Sequence, residues 1–174
     1  MPFVLEEEKL PTVEHDLGVR EKEGYWGKQE PGYSYRTQEW YVTGTDLDNY
    51  CVATGMRDPM YLDDKVARAA GFEGRPLPPG FLLGLHYGLL FNLGTISGSI
   101  WVGVTDVKFL KQAYPGDTLY MEGQLETKRQ TSKGNIFVVY YSWIMKNQKD
   151  EVVVDAHNTC ITPNPEVAGE VNQY

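Results

Sequence analysis

The residues best suited to chemistry lie in one stretch, "ATGMRDPMYLDDKVARAAGFEGRPLPPGF", Ala53 to Phe81. Its density of Gly and Pro marks loop and turn, and loops carried on a rigid scaffold are where polar groups are gathered for function. Asp58 and Tyr61, three residues apart, are the nearby groups able to move a proton or hold a water. The bland alternative is that Asp58 makes an Asx-turn before Pro59 and that Tyr61 packs. Gly80 and Phe81 open the next helix, so their N–H groups should be unpaired and turned toward the preceding loop. A thioester carbonyl placed there would meet donors in an oxyanion-hole arrangement.

Other reactive residues are scattered. His15, His86 and His157 stand apart, with no Cys or acid at ligand spacing, so no metal site is expected. His86 falls on an apolar helix and could face a ligand, although a core or interface histidine bonded to a carbonyl is the competing reading. His157 reads as an alternation position on the last strand. Cys51 and Cys160 lack basic neighbours and read as buried apolar thiols rather than nucleophiles. Neither phosphate-loop pattern occurs. The basic run "KRQTSK", Lys128 to Lys133, reads as a solvated turn.

These residues need a frame. "YRTQEWYVTG" reads as a first strand, and "DLDNYCVATG" as a short helix capped by Thr45 or Asp46 and ended by Gly55. "DDKVARAAGF" reads as a second short helix, with Asp63 and Asp64 at its start and Gly71 at its end. "GFLLGLHYGLLFNLG" is apolar nearly all round, so it must be wrapped by something larger than itself. Gly84 and Gly88 would let a strand or another helix approach it closely. From "SIWVGVTDVKFLKQAY" onward the chain alternates as strand, with polar turns at Pro-Gly-Asp and Ser-Lys-Gly, an antiparallel meander. The expected architecture is α+β, a single helix wrapped by a curled antiparallel sheet, the hot-dog layout. The open edges of such a sheet favour a dimer.

Residues 1–34 read as an N-terminal arm anchored by Tyr25 and Trp26, residues 35–163 as the domain, and residues 164–174 as a tail. The chain of 174 residues supplies one core, and no apolar run approaches the length of a membrane span. A net charge of -8 argues against nucleic acid as partner. Two cysteines and an acidic start without a signal pattern favour a cytoplasmic setting.

"DNYCVATGMRDPMYLDDKVARAAGF" followed by "LPPGF", together with "VKFLKQAYPGDTLYMEGQL", resembles the MaoC-like hydratases and dehydratases, the (R)-specific enoyl-CoA hydratase group. The resemblance runs from about residue 32 to 163. It implies an acyl thioester of CoA or a carrier protein as substrate, with no separate cofactor. The family's loop carries an Asp and a His that handle the proton, then a second His and a Gly at the start of the buried helix. Gly55, Pro59 and Gly80 match that frame. Met56 stands at the Asp position, Asp58 at an Asn, Tyr61 at the His and Pro79 at the second His. The pattern is similar to the non-catalytic half of double-hot-dog dehydratases and to the partner subunit of heterodimeric ones. It implies a catalytically degenerate, acyl-binding subunit, in a homodimer or beside a catalytic MaoC-like chain, with Gly55, Pro79, Gly80, Phe81 and His86 toward the substrate. The alternatives are a self-sufficient hydratase using Asp58 and Tyr61, and a non-enzymatic acyl-thioester binder.

Overall fold

The computed structural model describes residues 25–93, 96 and 98–166. Two short strands, β1 (Ser34–Arg36) and β2 (Trp40–Tyr41), come first. They are followed by helices α1 (Gly44–Thr54), α2 (Pro59–Leu62), α3 (Asp64–Ala69) and α4 (Pro79–Leu93). Four long strands complete the fold: β3 (Ile100–Phe109), β4 (Thr118–Gln130), β5 (Ile136–Lys146) and β6 (Val152–Pro163). The antiparallel sheet has the order β1-β4-β5-β6-β3, with β2 joined to β4. This is the α+β layout expected, with α4 against the sheet.

Alternation produces the core. On β5 the side chains of Val139, Tyr141, Trp143 and Met145 turn inward, and each faces an inward residue of β6: Cys160, Asn158, Ala156 and Val154. His86 on α4 is fully buried and stacks on Trp143, with ring centroids 4.1 Å apart. Helix and sheet therefore share one aromatic core, the burial that holds most domains together.

The expected first strand is broken in two. Between β1 and β2, Thr37 pairs with Met121 by backbone and also accepts the Met121 N–H through its hydroxyl, at 2.9 Å for both contacts. The hydroxyl competes with a regular ladder, a local effect that Thr permits. The cap of α1 is Thr43, not Thr45 or Asp46. Asp46 sits three residues in and closes a capping box with it.

Tyr25 and Trp26 are buried. The Tyr25 hydroxyl donates to the Pro163 carbonyl at 2.7 Å and accepts from Thr162 Oγ1 at 2.9 Å. Ser99 Oγ in turn donates to Thr162 Oγ1 at 2.7 Å. Trp26 packs on Tyr141 with centroids 4.2 Å apart. Beyond β6 the chain stays packed: Asn164 is buried and donates to the Gly134 carbonyl at 2.8 Å. His15 and the ends of the chain, with most of the arm and the tail, lie outside the described residues.

Among the described residues β3 forms one edge of the sheet and pairs only with β6. It is long and apolar: Ile100 is 62% and Val102 60% exposed. Edge strands of this kind are normally blunted or covered.

Candidate functional site

The loop singled out in the sequence folds as a chain of short capped helices. Gly55 ends α1 in the left-handed region at φ 70°, which a residue without Cβ adopts freely. Met56 N–H then bonds back to the Cys51 carbonyl at 2.9 Å, which turns the chain sharply. Asp58 caps α2: its Oδ1 accepts from Met60 N–H at 3.0 Å, and Pro59 takes the first helical position, where a missing N–H costs nothing. Asp58, expected as a proton-handling candidate, thus makes the local Asx contact. Asp63 caps α3 in the same way, accepting from Lys65 N–H at 2.7 Å.

Tyr61 is half-buried and packs against the core, as Met56, Tyr50 and Phe81 also do. Burial raises its hydroxyl above the ordinary phenol range, and the Asp58 charge raises it further. Tyr61 is therefore a protonated donor at neutral pH, not a base. Cys51, buried beside it, is also raised by desolvation and is a poor nucleophile.

At the start of α4 the sequence expectation is met for one backbone donor and not for the other. Phe81 N–H is taken by the Pro78 carbonyl at 3.0 Å. Gly80 N–H has no acceptor among the described residues. Pro79 and Gly80 are both exposed. The Tyr50 hydroxyl lies where a side chain on Gly80 would be, so any residue larger than glycine would have to displace it. The Tyr50 ring meets Phe81 edge-on at 5.6 Å.

From that point a groove of about 360 Å³ runs between α1 and α4. Its α4 side is an i, i+3, i+4 stripe in which Phe81, Leu85 and Leu89 alternate with Gly84 and Gly88. The two glycines have nothing within 4 Å of a would-be Cβ. Among the described residues no strand or helix makes the close approach expected there; the glycines widen a groove instead. α4 is therefore not wrapped on all sides by the described residues. On α1, Asp46, Asn49 and Tyr50 line the opposite wall, and Trp40 of β2 closes it. An apolar trough with few polar groups is the usual form of a small-molecule site.

His86 faces the opposite way. It is absent from the groove lining and its Nε2 is 3.3 Å from the Tyr141 hydroxyl. Burial pushes its pKa down to about 3; the Leu83 carbonyl one turn back favours the cation, but less strongly. Its placement toward a substrate is corrected: an apolar, aromatic surround keeps it a neutral core residue. His157 lies on β6, 3.4 Å from Glu126. Among the described residues no group of three His, Cys, Asp or Glu could hold a metal ion. No helix there is long and apolar enough to cross a membrane.

Of the residues singled out in the sequence, Phe81 lines the groove and Gly80 meets it through the Tyr50 hydroxyl, whereas Gly55, Asp58, Tyr61, Pro79 and His86 are not part of its lining. Tyr50 and Trp40 were missed by sequence reasoning. The spacing of Asp46, Asn49 and Tyr50 at i, i+3 and i+4 was a legible signal of one helical face. Nothing in the sequence said what that face opposes.

Residues 29–156 match the family model described as FAS1-like, dehydratase domain region. The mitochondrial 3-hydroxyacyl-[acyl-carrier-protein] dehydratase of Arabidopsis thaliana is 29% identical over 119 residues, 68% of this chain and 69% of that protein. A MaoC domain protein dehydratase from Chloroflexus aurantiacus superposes with a TM-score of 0.73 at 24% identity, over 80% of this chain and 40% of that one. A chain of the HadBC 3R-hydroxyacyl-ACP dehydratase complex of Mycobacterium tuberculosis gives 0.66 at 17% identity, over 78% of this chain and 98% of that one. The structural likenesses establish the hot-dog fold, and the match of the family model over most of the chain fixes the family. The chain belongs to the MaoC-like hot-dog family of hydratases and dehydratases.

Proposed function

We propose that this chain is the acyl-binding, catalytically degenerate subunit of an (R)-enoyl-CoA hydratase or 3-hydroxyacyl-thioester dehydratase, with the proton-handling pair supplied by a second MaoC-like chain. One observation carries the reading. The family's loop frame is intact, with Gly55 in the left-handed turn and Gly80 opening α4 beside an unpaired N–H, while the positions for Asp, His and His hold Met56, Tyr61 and Pro79. A thioether and a proline cannot move a proton, and Tyr61 is held protonated. Loss of a general acid or base forfeits about 10²–10⁴-fold in rate.

The groove supports an acyl chain as ligand, and the Gly80 N–H supports polarisation of its carbonyl. The open, apolar β3 edge supports a second hot-dog chain docking there.

The test is hydration of crotonyl-CoA and of longer enoyl-CoA esters by the purified chain alone. The expected rate is that of buffer. A clear rate that falls at least tenfold in Asp58→Asn or Tyr61→Phe would instead establish a self-sufficient enzyme built on those two residues.

A further inference from the structure

We infer that the Tyr50 hydroxyl is the donor that anchors the oxygen of an acyl ligand in the α1–α4 groove, and that Gly80 lacks a side chain to leave it room. The inference rests on the acyl-binding reading above and adds a residue to it.

The α4 wall of the groove offers no polar side chain until Asn92, about 16 Å along the helix from Phe81. On the opposite wall Asp46 is committed, its Oδ2 accepting from the N–H and the hydroxyl of Thr43, at 2.8 Å each. Asn49 is exposed to solvent. Tyr50 is half-buried, with its ring fixed edge-on against Phe81 and its hydroxyl over Gly80. That hydroxyl has no hydrogen-bond partner among the described residues and is not one of their buried unpartnered polar atoms, so it is open to water. A donor at the wall of an apolar trough that holds only water is free to exchange that water for a ligand oxygen.

Gly80 makes the same point from the other side. Glycine inside a helix costs up to about 1 kcal/mol relative to alanine. Here any Cβ would overlap the Tyr50 oxygen, whereas the Tyr50 Cζ would sit 3.5 Å away, an ordinary contact. The position is therefore constrained by one oxygen atom alone. A ligand with an acceptor at one end and an apolar tail fits: the acceptor at Tyr50, the tail over Gly84 and Gly88 toward Asn92. An acyl thioester has that shape.

Binding of octanoyl-CoA and of its thioether analogue S-octyl-CoA, which lacks the carbonyl, to the full chain by calorimetry separates the possibilities. The wild-type chain should prefer the thioester by about tenfold, the worth of one good hydrogen bond. Tyr50→Phe should lose that preference and still bind the thioether as before. Gly80→Ala, which displaces the hydroxyl, should lose it as well, guarding against an accidental effect of the first variant. A preference unchanged in Tyr50→Phe overturns this inference and leaves the acyl-binding reading standing. Failure of the wild-type chain to bind either compound removes both.

Discussion

The Tyr50 hydroxyl occupies the space that a side chain on Gly80 would need, so the end of α1 and the start of α4 are fitted to each other through one oxygen atom. Forcing a methyl group into such a contact typically costs about 1–3 kcal/mol. Gly80→Ala should lower stability by that amount in urea unfolding. In a Tyr50→Phe background the same substitution should cost nothing or stabilise, since the remaining contact is 3.5 Å. Equal costs in both backgrounds would mean that the two residues are not coupled.

The core histidine gives a pH signature. His86 is neutral when folded, with its pKa pushed down to about 3, and ordinary, near 6.5, when unfolded. Above pH 6.5 neither state is protonated and the contribution is complete. Below it the unfolded chain takes up a proton that the folded chain refuses. Stability then falls by about 1.4 kcal/mol per pH unit from this group until pH approaches 3. His86→Gln should flatten the acid limb of the stability profile by about one proton, measured by urea unfolding between pH 4 and 7. An unchanged slope would show that His86 is not the group responsible.

The arm is expected to be structural. Trp26 is fully buried between Tyr35 and Tyr141, and truncating a buried Trp costs about 3–5 kcal/mol. Trp26→Ala should lower the midpoint of thermal unfolding strongly. Tyr25→Phe, which breaks the hydroxyl chain to Thr162 and Pro163, should cost about 1–3 kcal/mol.

Asp58 should behave as a cap. Asp58→Ala removes the acceptor for Met60 N–H and should cost about 1 kcal/mol by chemical unfolding. Acyl-CoA binding should stay within twofold of the wild-type value, because the carboxylate is turned to its own helix.

Much of this was legible in the sequence, and what was not has a physical cause. The meander was readable because short polar turns bound its long strands, and α4 because its apolar run has no strand-like period. The first strand was read as continuous because the Thr37 hydroxyl contact is made with Met121, far away in sequence. At the site, Gly55 and Gly80 were visible as types, but the reason for Gly80 lies in Tyr50, thirty positions earlier and on another helix. His86 shows the limit from the other side: a polar residue on an apolar helix does not reveal whether it faces ligand or core until Trp143 is seen stacked on it.

The sheet edge makes the partner testable. Val102→Asp on β3 places a charge on the exposed apolar edge and should abolish association with a second hot-dog chain in gel filtration, leaving the monomer folded.

The most direct measurement is turnover by this chain co-purified with a MaoC-like chain that keeps the Asp and His pair, taken from the same gene neighbourhood. The expected result is a stable complex that hydrates enoyl-CoA at least a hundredfold faster than this chain alone, with activity lost when the partner's aspartate is replaced by asparagine. A chain that forms only homodimers, or that hydrates enoyl-CoA unaided, would contradict the assignment of this protein as the acyl-binding half of a catalytic pair.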